Sequence, residues 1–381
     1  MSTEQNKGIK AIGVSFHTIV IGGGQAGLAV GYHLARQGEN FTILDERPRT
    51  GDAWRNRWDS LKLFTPSQLD SLPGMPFPKL DNYLPSKDEV ADYLEGYASH
   101  FHLPVRHGVK INELKRNGEG YHISAGAESF DARNVIVAAG PYQSPYTPSF
   151  ASELDPSILQ LHSSAYHNPG QIPAQSILVV GAGNSGAEIA LDLSRAGKRV
   201  WLAGRDVGKI PVNSGIGRAF GGRLFWLVAS KVMSVDTPIG RRLKRNALIH
   251  GVALGRARRP EIASAGVILT PRMFGIQSGK PKMEDNRILS ADGIIWATGF
   301  RPNYGWINLP IFDEQGYPRH SRGVVQEEPG LYFVGLVFQR ALSSSLLGGV
   351  GADAAYISSQ IAHKSPRLSR TTNEIGWTGK A

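Results

Sequence analysis

The stretch Thr18-Ile-Val-Ile-Gly22-Gly-Gly24-Gln-Ala-Gly27 reads as an apolar strand that ends in a glycine turn and opens into a helix through Leu28 to Arg36, with Gly38 and the strand Phe41 to Leu44 behind it. A second stretch, Ile177-Leu-Val-Val-Gly181-Ala-Gly183-Asn-Ser-Gly186, repeats the arrangement with Ala187 to Arg195, Gly197 and the strand Arg199 to Ala203. Each is the first half of a dinucleotide-binding βαβ unit. The three glycines have separate tasks: the first makes the tight turn, the second lets backbone approach a pyrophosphate, and the third lets helix and strand pack closely. Free N–H groups and the positive end of the helix would then hold the anion. One G-x-G-x-x-G is a weak signal, but finding strand, turn, helix and strand around it twice is a strong one. The expected fold class is α/β with two Rossmann-like dinucleotide-binding domains.

The residue closing the second strand meets the adenine ribose, and there the copies differ. Copy one carries Asp45, whose carboxylate accepts hydrogen bonds from free ribose hydroxyls and repels a 2′-phosphate; Glu46 beside it is an alternative. Copy two carries Gly204 followed by Arg205, a fork able to clamp a 2′-phosphate, although an ordinary exposed arginine would read the same way. Copy one therefore suits FAD and copy two NADPH.

Two further apolar strands end in a small-small-glycine turn, Val135-Ile-Val-Ala-Ala139-Gly140 and Ile294-Ile-Trp-Ala-Thr298-Gly299. They suggest where the chain leaves and re-enters the first domain. The expected organisation is an FAD domain from residues 1–163 and 293–381, with an NADPH domain of residues 164–292 inserted. Between Gly108 and Phe130, short alternating runs with Gly118, Gly120 and Gly126 predict a small β-meander.

Composition narrows the chemistry. A chain of 381 residues that is 41% hydrophobic and 19% charged packs as an ordinary globular protein of two or three domains, not as a disordered chain. The absence of cysteine excludes thiolate metal sites, a Cys nucleophile, disulfides and any Cys-x-x-Cys redox pair. Of the net charge of +10, much sits between Arg241 and Arg259, where Arg241, Arg242, Lys244, Arg245, Arg256, Arg258 and Arg259 occur without an acid. A solvated helix face and a phosphate-attracting or membrane-surface patch are equally open there. Nucleic-acid binding is disfavoured, because no aromatic stacking pattern accompanies these cations. The apolar run around Leu224 to Met233 is too short to cross a bilayer and Met1 to Lys10 is polar, so the expected location is cytoplasmic with no transmembrane segment. The segment Asn213 to Ala265, with Phe220, Leu224, Phe225, Trp226 and Leu227, predicts helices that either line a substrate entrance or belong to the NADPH-domain core.

From about His17 to Ala362 the chain resembles the class B flavin-dependent monooxygenases, a family that includes flavin-containing monooxygenases, plant indole-pyruvate enzymes and small bacterial relatives. The likeness rests on Gly51-Asp-Ala-Trp54-Arg55, on Leu61-Lys-Leu-Phe-Thr65-Pro66, on Ala297-Thr-Gly-Phe-Arg-Pro302, on Gly330-Leu-Tyr-Phe-Val-Gly335 and on Leu347-Gly-Gly349-Val-Gly-Ala-Asp353. It implies that Trp54, Arg55, Thr65, Val109, Ala139, Gly140, Thr298, Gly349 and Asp353 face the cofactors, beside Gly22, Gly24, Gln25, Ala26, Gly27, Gly181, Gly183, Asn184, Ser185 and Gly186. A helix start near Asp353 would favour negative charge on the reduced flavin. The family pattern Phe-x-Gly-x-x-x-His-x-x-x-(Trp/Tyr) is met by His162 and Tyr166, while Pro156 and Ile158 depart from it. Pro66 is a second departure, at a position where some members carry asparagine, leaving Ser67 and Gln68 as the nearest polar groups.

The resemblance implies hydride transfer from NADPH to FAD and oxygenation of a small organic substrate through a C4a-(hydro)peroxyflavin, by S- or N-oxygenation or Baeyer–Villiger chemistry. His162, Gln68 and Asn184 are the catalytic candidates, His162 chiefly to position the hinge and NADPH. Expected partners are the small-molecule substrate and O2, with no metal and no nucleic acid, and a homodimer is admitted. The departures keep an NADPH oxidase or electron-transfer reductase open. A non-catalytic nucleotide sensor would not need the flavin-lining segments.

Overall fold

The computed structural model describes residues 14–206, 208, 222–250, 255–257 and 259–364; Asn213, Phe220, Arg258 and the Met1 to Lys10 run fall outside them. Two sheets organise the chain, one mixed and one parallel. The first has the order Val105–Arg106, Phe41–Leu44, Val14–Ile21, Glu128–Val137, Gly120–Ala125, Glu113–Asn117, and Leu331–Phe333 pairs with the far end of Glu128–Val137. On the side away from Val14–Ile21 the long strand thus serves two neighbours: its first half pairs antiparallel with Gly120–Ala125 and its last residues pair parallel with Leu331–Phe333. Residues 113–137 form the expected meander. Burial explains the strands: Ile19, Val20, Ile43, Val135 and Ile136 are wholly inaccessible, as strands covered on both faces must be.

One face of this sheet packs against the helices Gln25–Arg36, Lys87–His100 and Val350–Lys364. The other is covered by the meander and by Tyr304, Ile307 and Ile311. The helix Lys87–His100 starts on a capping box, in which Ser86 Oγ accepts from the Glu89 N–H and the Glu89 carboxylate accepts from the Ser86 N–H.

The second sheet is all parallel, in the order Ile268–Thr270, Arg199–Ala203, Ser176–Val180, Gly293–Trp296, Leu159–His162. The helix Asn184–Arg195 packs on one face with Trp58, Tyr166 and Ile262; the other face buries Met273, Met283 and Trp296.

Here the expected boundaries shift. Those at 163/164 and 292/293 cut off two strands, Leu159–His162 and Gly293–Trp296, that lie side by side in the second sheet with Trp296 opposite His162. Val135–Val137 and Ile294–Trp296 look alike in sequence because both run beside a glycine turn, one in each domain. Which sheet a strand joins depends on its partner, and its own residues do not encode that. The chain instead crosses before the first of those boundaries and after the second, where Ser144–Pro145 pairs antiparallel with Phe300–Arg301.

The two glycine turns share one local logic. Gly22 and Gly181 have φ of 109° and 111°, in the left-handed region. A Cβ on Gly27 would lie 1.9 Å from the Gly22 carbonyl oxygen, and one on Gly186 would lie 1.8 Å from that of Gly181. On Gly24 or Gly183 it would meet nothing within 4 Å. We therefore expect Gly27→Ala and Gly186→Ala to lose ~2–3 kcal/mol or more of stability by overpacking. Gly24→Ala and Gly183→Ala meet no steric barrier and should cost only about 1 kcal/mol, the preference of a helix N-cap for glycine over alanine. Urea unfolding of the four variants checks the contrast.

Candidate functional site

Each glycine turn aims the start of a helix at open space. Gly24 and Gly183 are the N-caps of Gln25–Arg36 and Asn184–Arg195, both extended and neither offering a side-chain cap, so the first N–H groups are available to an anion. The turns are braced from behind by backbone: a Cβ on Gly22 would lie 2.5 Å from the Ala138 carbonyl oxygen, and one on Gly181 would lie 2.2 Å from that of Ala297. Ala139 and Gly140, and Thr298 and Gly299, therefore sit at equivalent positions beside the two turns. Thr298 Oγ1 donates to the Tyr146 carbonyl. Gln25 donates from Nε2 to the Ser345 carbonyl at 3.2 Å, and Gly335 packs on Ala26.

The ends of the two second strands differ in what they carry. Asp45 is buried beside Gly23, accepts from the Arg47 N–H at 3.1 Å, and through its own carbonyl holds the Val109 N–H at 2.9 Å. Burial raises its pKa, against that hydrogen bond. Glu46 is exposed. In the second turn Gly204, at φ 156°, lies against Ala182, where a Cβ would come within 2.6 Å of the Ala182 nitrogen. Arg205, the next residue, is exposed. Arg259 pairs with Asp206, 3.4 Å away.

Between the cradles run the segments 51–70 and 340–353. Trp54 is half-buried against the first core. Arg55 is not available to a cofactor phosphate: its guanidinium donates to the Thr50 carbonyl, Asp52, Asp92 and Glu95, four acceptors supplied by its own turn and the helix Lys87–His100. Gln68 is tied by both ends of its amide to Asn82, which holds a left-handed turn at φ 64°. Ser67 is inaccessible and donates to the Leu80 carbonyl. Neither polar neighbour of Pro66 thus opens onto a reaction site.

Thr65 instead donates to Asp70 Oδ1 at 2.6 Å. Asp70 is wholly inaccessible, its Oδ2 has no hydrogen-bond partner, and burial pushes its pKa up to about 8, with the Thr65 hydroxyl opposing. Sequence patterns do not single out this acid. Its one signal is a carboxylate closing an otherwise uncharged Leu-Phe-Thr-Pro-Ser-Gln-Leu run. The glycine pair Gly348-Gly349 packs directly behind it: a Cβ on Gly348 would lie 1.9 Å from the Leu69 carbonyl oxygen, and one on Gly349 would lie 1.9 Å from that of Ser343. Asp353, in the first turn of Val350–Lys364, is fully buried 3.4 Å from Arg340 Nε, and its pKa is raised by burial against the pull of Ser344 and Arg340.

His162 braces the crossing. Its Nε2 lies 3.0 Å from the Gly299 carbonyl oxygen, which can only accept, and its Nδ1 lies 3.1 Å from the Ser164 N–H, which can only donate. The ring is therefore the neutral Nε2–H tautomer, and burial holds its pKa below the usual imidazole value. With both nitrogens committed, His162 fixes the linker turn before Phe300, which it meets edge-on. Tyr166, its companion in the family pattern, is buried and donates to Asp192 at 2.8 Å. Asn184 accepts the Gly255 N–H at 2.7 Å, and Gly255 presses on Phe64, where a Cβ would lie 2.4 Å from Cγ. Arg256 pairs with the buried Glu188 at 2.9 Å. Among the described residues no cluster of His, Asp and Glu could hold a metal ion.

Two uncapped helix starts, each beside a bare glycine and carried on its own parallel sheet, define a two-dinucleotide oxidoreductase. The sequence profile of the pyridine nucleotide-disulphide oxidoreductase family matches residues 19–212. An uncharacterized CzcO-like oxidoreductase of Geobacillus kaustophilus is 38% identical over 90% of this chain and 97% of its own. The probable indole-3-pyruvate monooxygenase YUCCA3 of Arabidopsis thaliana is 27% identical over 91% and 86%. Among solved structures, a flavin-containing monooxygenase from Stenotrophomonas maltophilia is 27% identical over 92% of this chain and 99% of that one, with a TM-score of 0.73. The protein belongs to the pyridine nucleotide-disulphide oxidoreductase family and, within it, to the class B flavin-dependent monooxygenases, whose cofactors are FAD and NADPH. With no cysteine in the chain, thiol–disulphide exchange through the protein is ruled out.

The buried Asp70 has a measurable consequence. Its folded-state pKa lies above the unfolded value near 4, so its contribution to stability is complete below that value and is lost as pH rises toward about 8. Asp70→Asn keeps an acceptor for Thr65 and cannot ionise. Over this window its stability should fall less steeply than the parent's by up to about 1.4 kcal/mol per pH unit, one proton's worth. Chemical denaturation across pH reads the difference in slope.

Proposed function

We propose that the Gly22–Gly27 turn holds FAD, that the Gly181–Gly186 turn holds NADPH, and that the enzyme uses both with O2 to oxygenate a small organic substrate. The observation that carries this reading is the contrast at the two ribose corners: a buried carboxylate at Asp45 against Gly204 followed by an exposed Arg205.

The residues present fit both groups. The open faces of Gly24 and Gly183 accept a pyrophosphate without displacing any side chain, and the uncapped N–H groups supply the hydrogen bonds. Gln25, Ala26, Val109, Ala139 and Gly140 surround the first position; Asn184, Ser185 and Thr298 surround the second. The acceptor pair at Asp45 matches ribose hydroxyls and would repel a 2′-phosphate, whereas Arg205 would pair with one bidentately. FAD bound in the first cradle supplies the capacity to accept hydride and to activate oxygen.

The chain itself does the positioning. His162, neutral and clamped between Gly299 and Ser164, sets the linker that fixes one cradle against the other. Thr65, held by Asp70, and the Gly348-Gly349 turn line the segment between them with buried groups, which keeps water out. The start of Val350–Lys364 places positive dipole there, with Asp353 and Arg340 balancing the charge locally.

Two measurements test the reading. Arg205→Ala should raise KM for NADPH about 10- to 100-fold, the loss of one charge-assisted contact of ~1.5–3 kcal/mol, and leave KM for NADH unchanged. Equal effects on both coenzymes would remove Arg205 from the 2′-phosphate. Rapid mixing of NADPH-reduced holoenzyme with oxygen should show a transient absorbance matching neither reduced nor oxidised flavin. Direct return to the oxidised spectrum with one peroxide per NADPH would make the protein an oxidase.

A further inference from the structure

The helical segment of the second domain has an inner and an outer side, and the cofactor reading uses only the inner one. It comprises the helix Arg223–Leu227, a π-helical turn Val228–Val232 and the helix Pro238–His250. On the inner side Gly222 packs on Leu69 and Pro66, the Val235 N–H donates to the Arg340 carbonyl at 2.8 Å, and the Leu342 N–H donates to the Met233 carbonyl at 3.0 Å. The segment thus lies across the stretch that links the two cradles.

The outer side is unlike the rest of the surface. Leu224, Leu227 and Ile239 are each 57% exposed and Val232 is 39% exposed, four large aliphatic side chains within sixteen residues. Leu224 and Leu227, three apart on one helix, share a face. Between and beside them stand Arg223, Lys231, Arg241, Arg242 and Arg245, all exposed, with Asp236 the one acid from 222 to 250. Solvated surfaces mix both signs of charge and avoid clustered aliphatics. A nucleic-acid surface would present aromatics for stacking, but Phe225 and Trp226 are half-buried. Exposed aliphatics interleaved with cations match an anionic lipid surface, in which the apolar groups reach the acyl boundary while the cations meet the headgroups.

We propose that the Arg223–Arg245 segment docks the enzyme on anionic bilayers. No helix among the described residues is long and apolar enough to cross a membrane, so docking is peripheral.

Flotation of the holoenzyme with vesicles tests this. The protein should float with vesicles of phosphatidylcholine and phosphatidylglycerol in equal parts, float poorly with phosphatidylcholine alone, and be released by high salt. Joint Arg241→Glu, Arg242→Glu and Arg245→Glu should weaken binding at least about 100-fold, and joint Leu224→Ser and Leu227→Ser about tenfold or more. Both variants should keep the flavin spectrum and the NADPH oxidation rate of the parent, which certifies their fold. Failure to bind the mixed vesicles, or equal binding by parent and both variants, overturns the proposal. So does a parent that is dimeric and lipid-indifferent and becomes monomeric with the leucine changes, since the face would then join two copies. Vesicle binding is read without turnover, so a colourless protein would defeat the FAD reading and leave the docking result standing.

Discussion

The whole arrangement depends on one steric constraint, the approach of backbone to backbone at the glycine turns. In both domains the third glycine lies so close to the carbonyl of the first that a single methyl group would overlap it. The first glycine in turn presses on the carbonyl of a neighbouring strand's end. Those contacts tie helix, turn and two strands into one unit and point the helix start outward. The positive end of the helix is then directed by packing that any side chain would prevent, which is why the motif tolerates so little variation at these positions. The middle glycine is the opposite case, with nothing within 4 Å of where its Cβ would stand.

Local features of this fold are legible in the amino-acid sequence. Strand, turn, helix and meander follow from runs of apolar residues and punctuating glycines, and the contrast between Asp45 and Gly204 needs only a count along the chain. Features decided by distant partners are not legible in the same way. Ile294–Trp296 belongs beside Ser176–Val180, although its residues mimic Val135–Val137. Arg55 has the chemistry to meet a phosphate, but the fold brings Asp92 and Glu95 to it. Gln68 offers a reactive-looking amide, yet a loop fourteen residues on occupies both its ends. Asp70 is inconspicuous because nothing in sequence reveals a carboxyl with no access to water. In each case the residue type sets what a side chain can do, and the tertiary neighbour sets what it does.

The domains are joined by more than their linkers. Trp58, from the first domain's segment, lies in the second domain's core, Asp59 bonds both the His167 carbonyl and Asn168, and Phe64 meets Gly255. From the other side, residues 233–235 bond to residues 340–342. The two cradles are thus held in a defined relation by contacts on either flank, with His162 at the crossing itself. That suits an enzyme in which one bound group must deliver hydride to another, a step that is steeply sensitive to separation and angle.

The late position of Leu331–Phe333 in the chain bears on how the protein is made. That strand completes the first sheet against Val135–Val137, and the helix Val350–Lys364 covers it, so the N-terminal half emerges from the ribosome with an open edge and an uncovered apolar face. The inserted domain, by contrast, has all five of its strands once residue 296 is out. Biosynthetic order therefore inverts sequence order: the domain begun second is finished first, and the opening strands wait for the last quarter of the polypeptide.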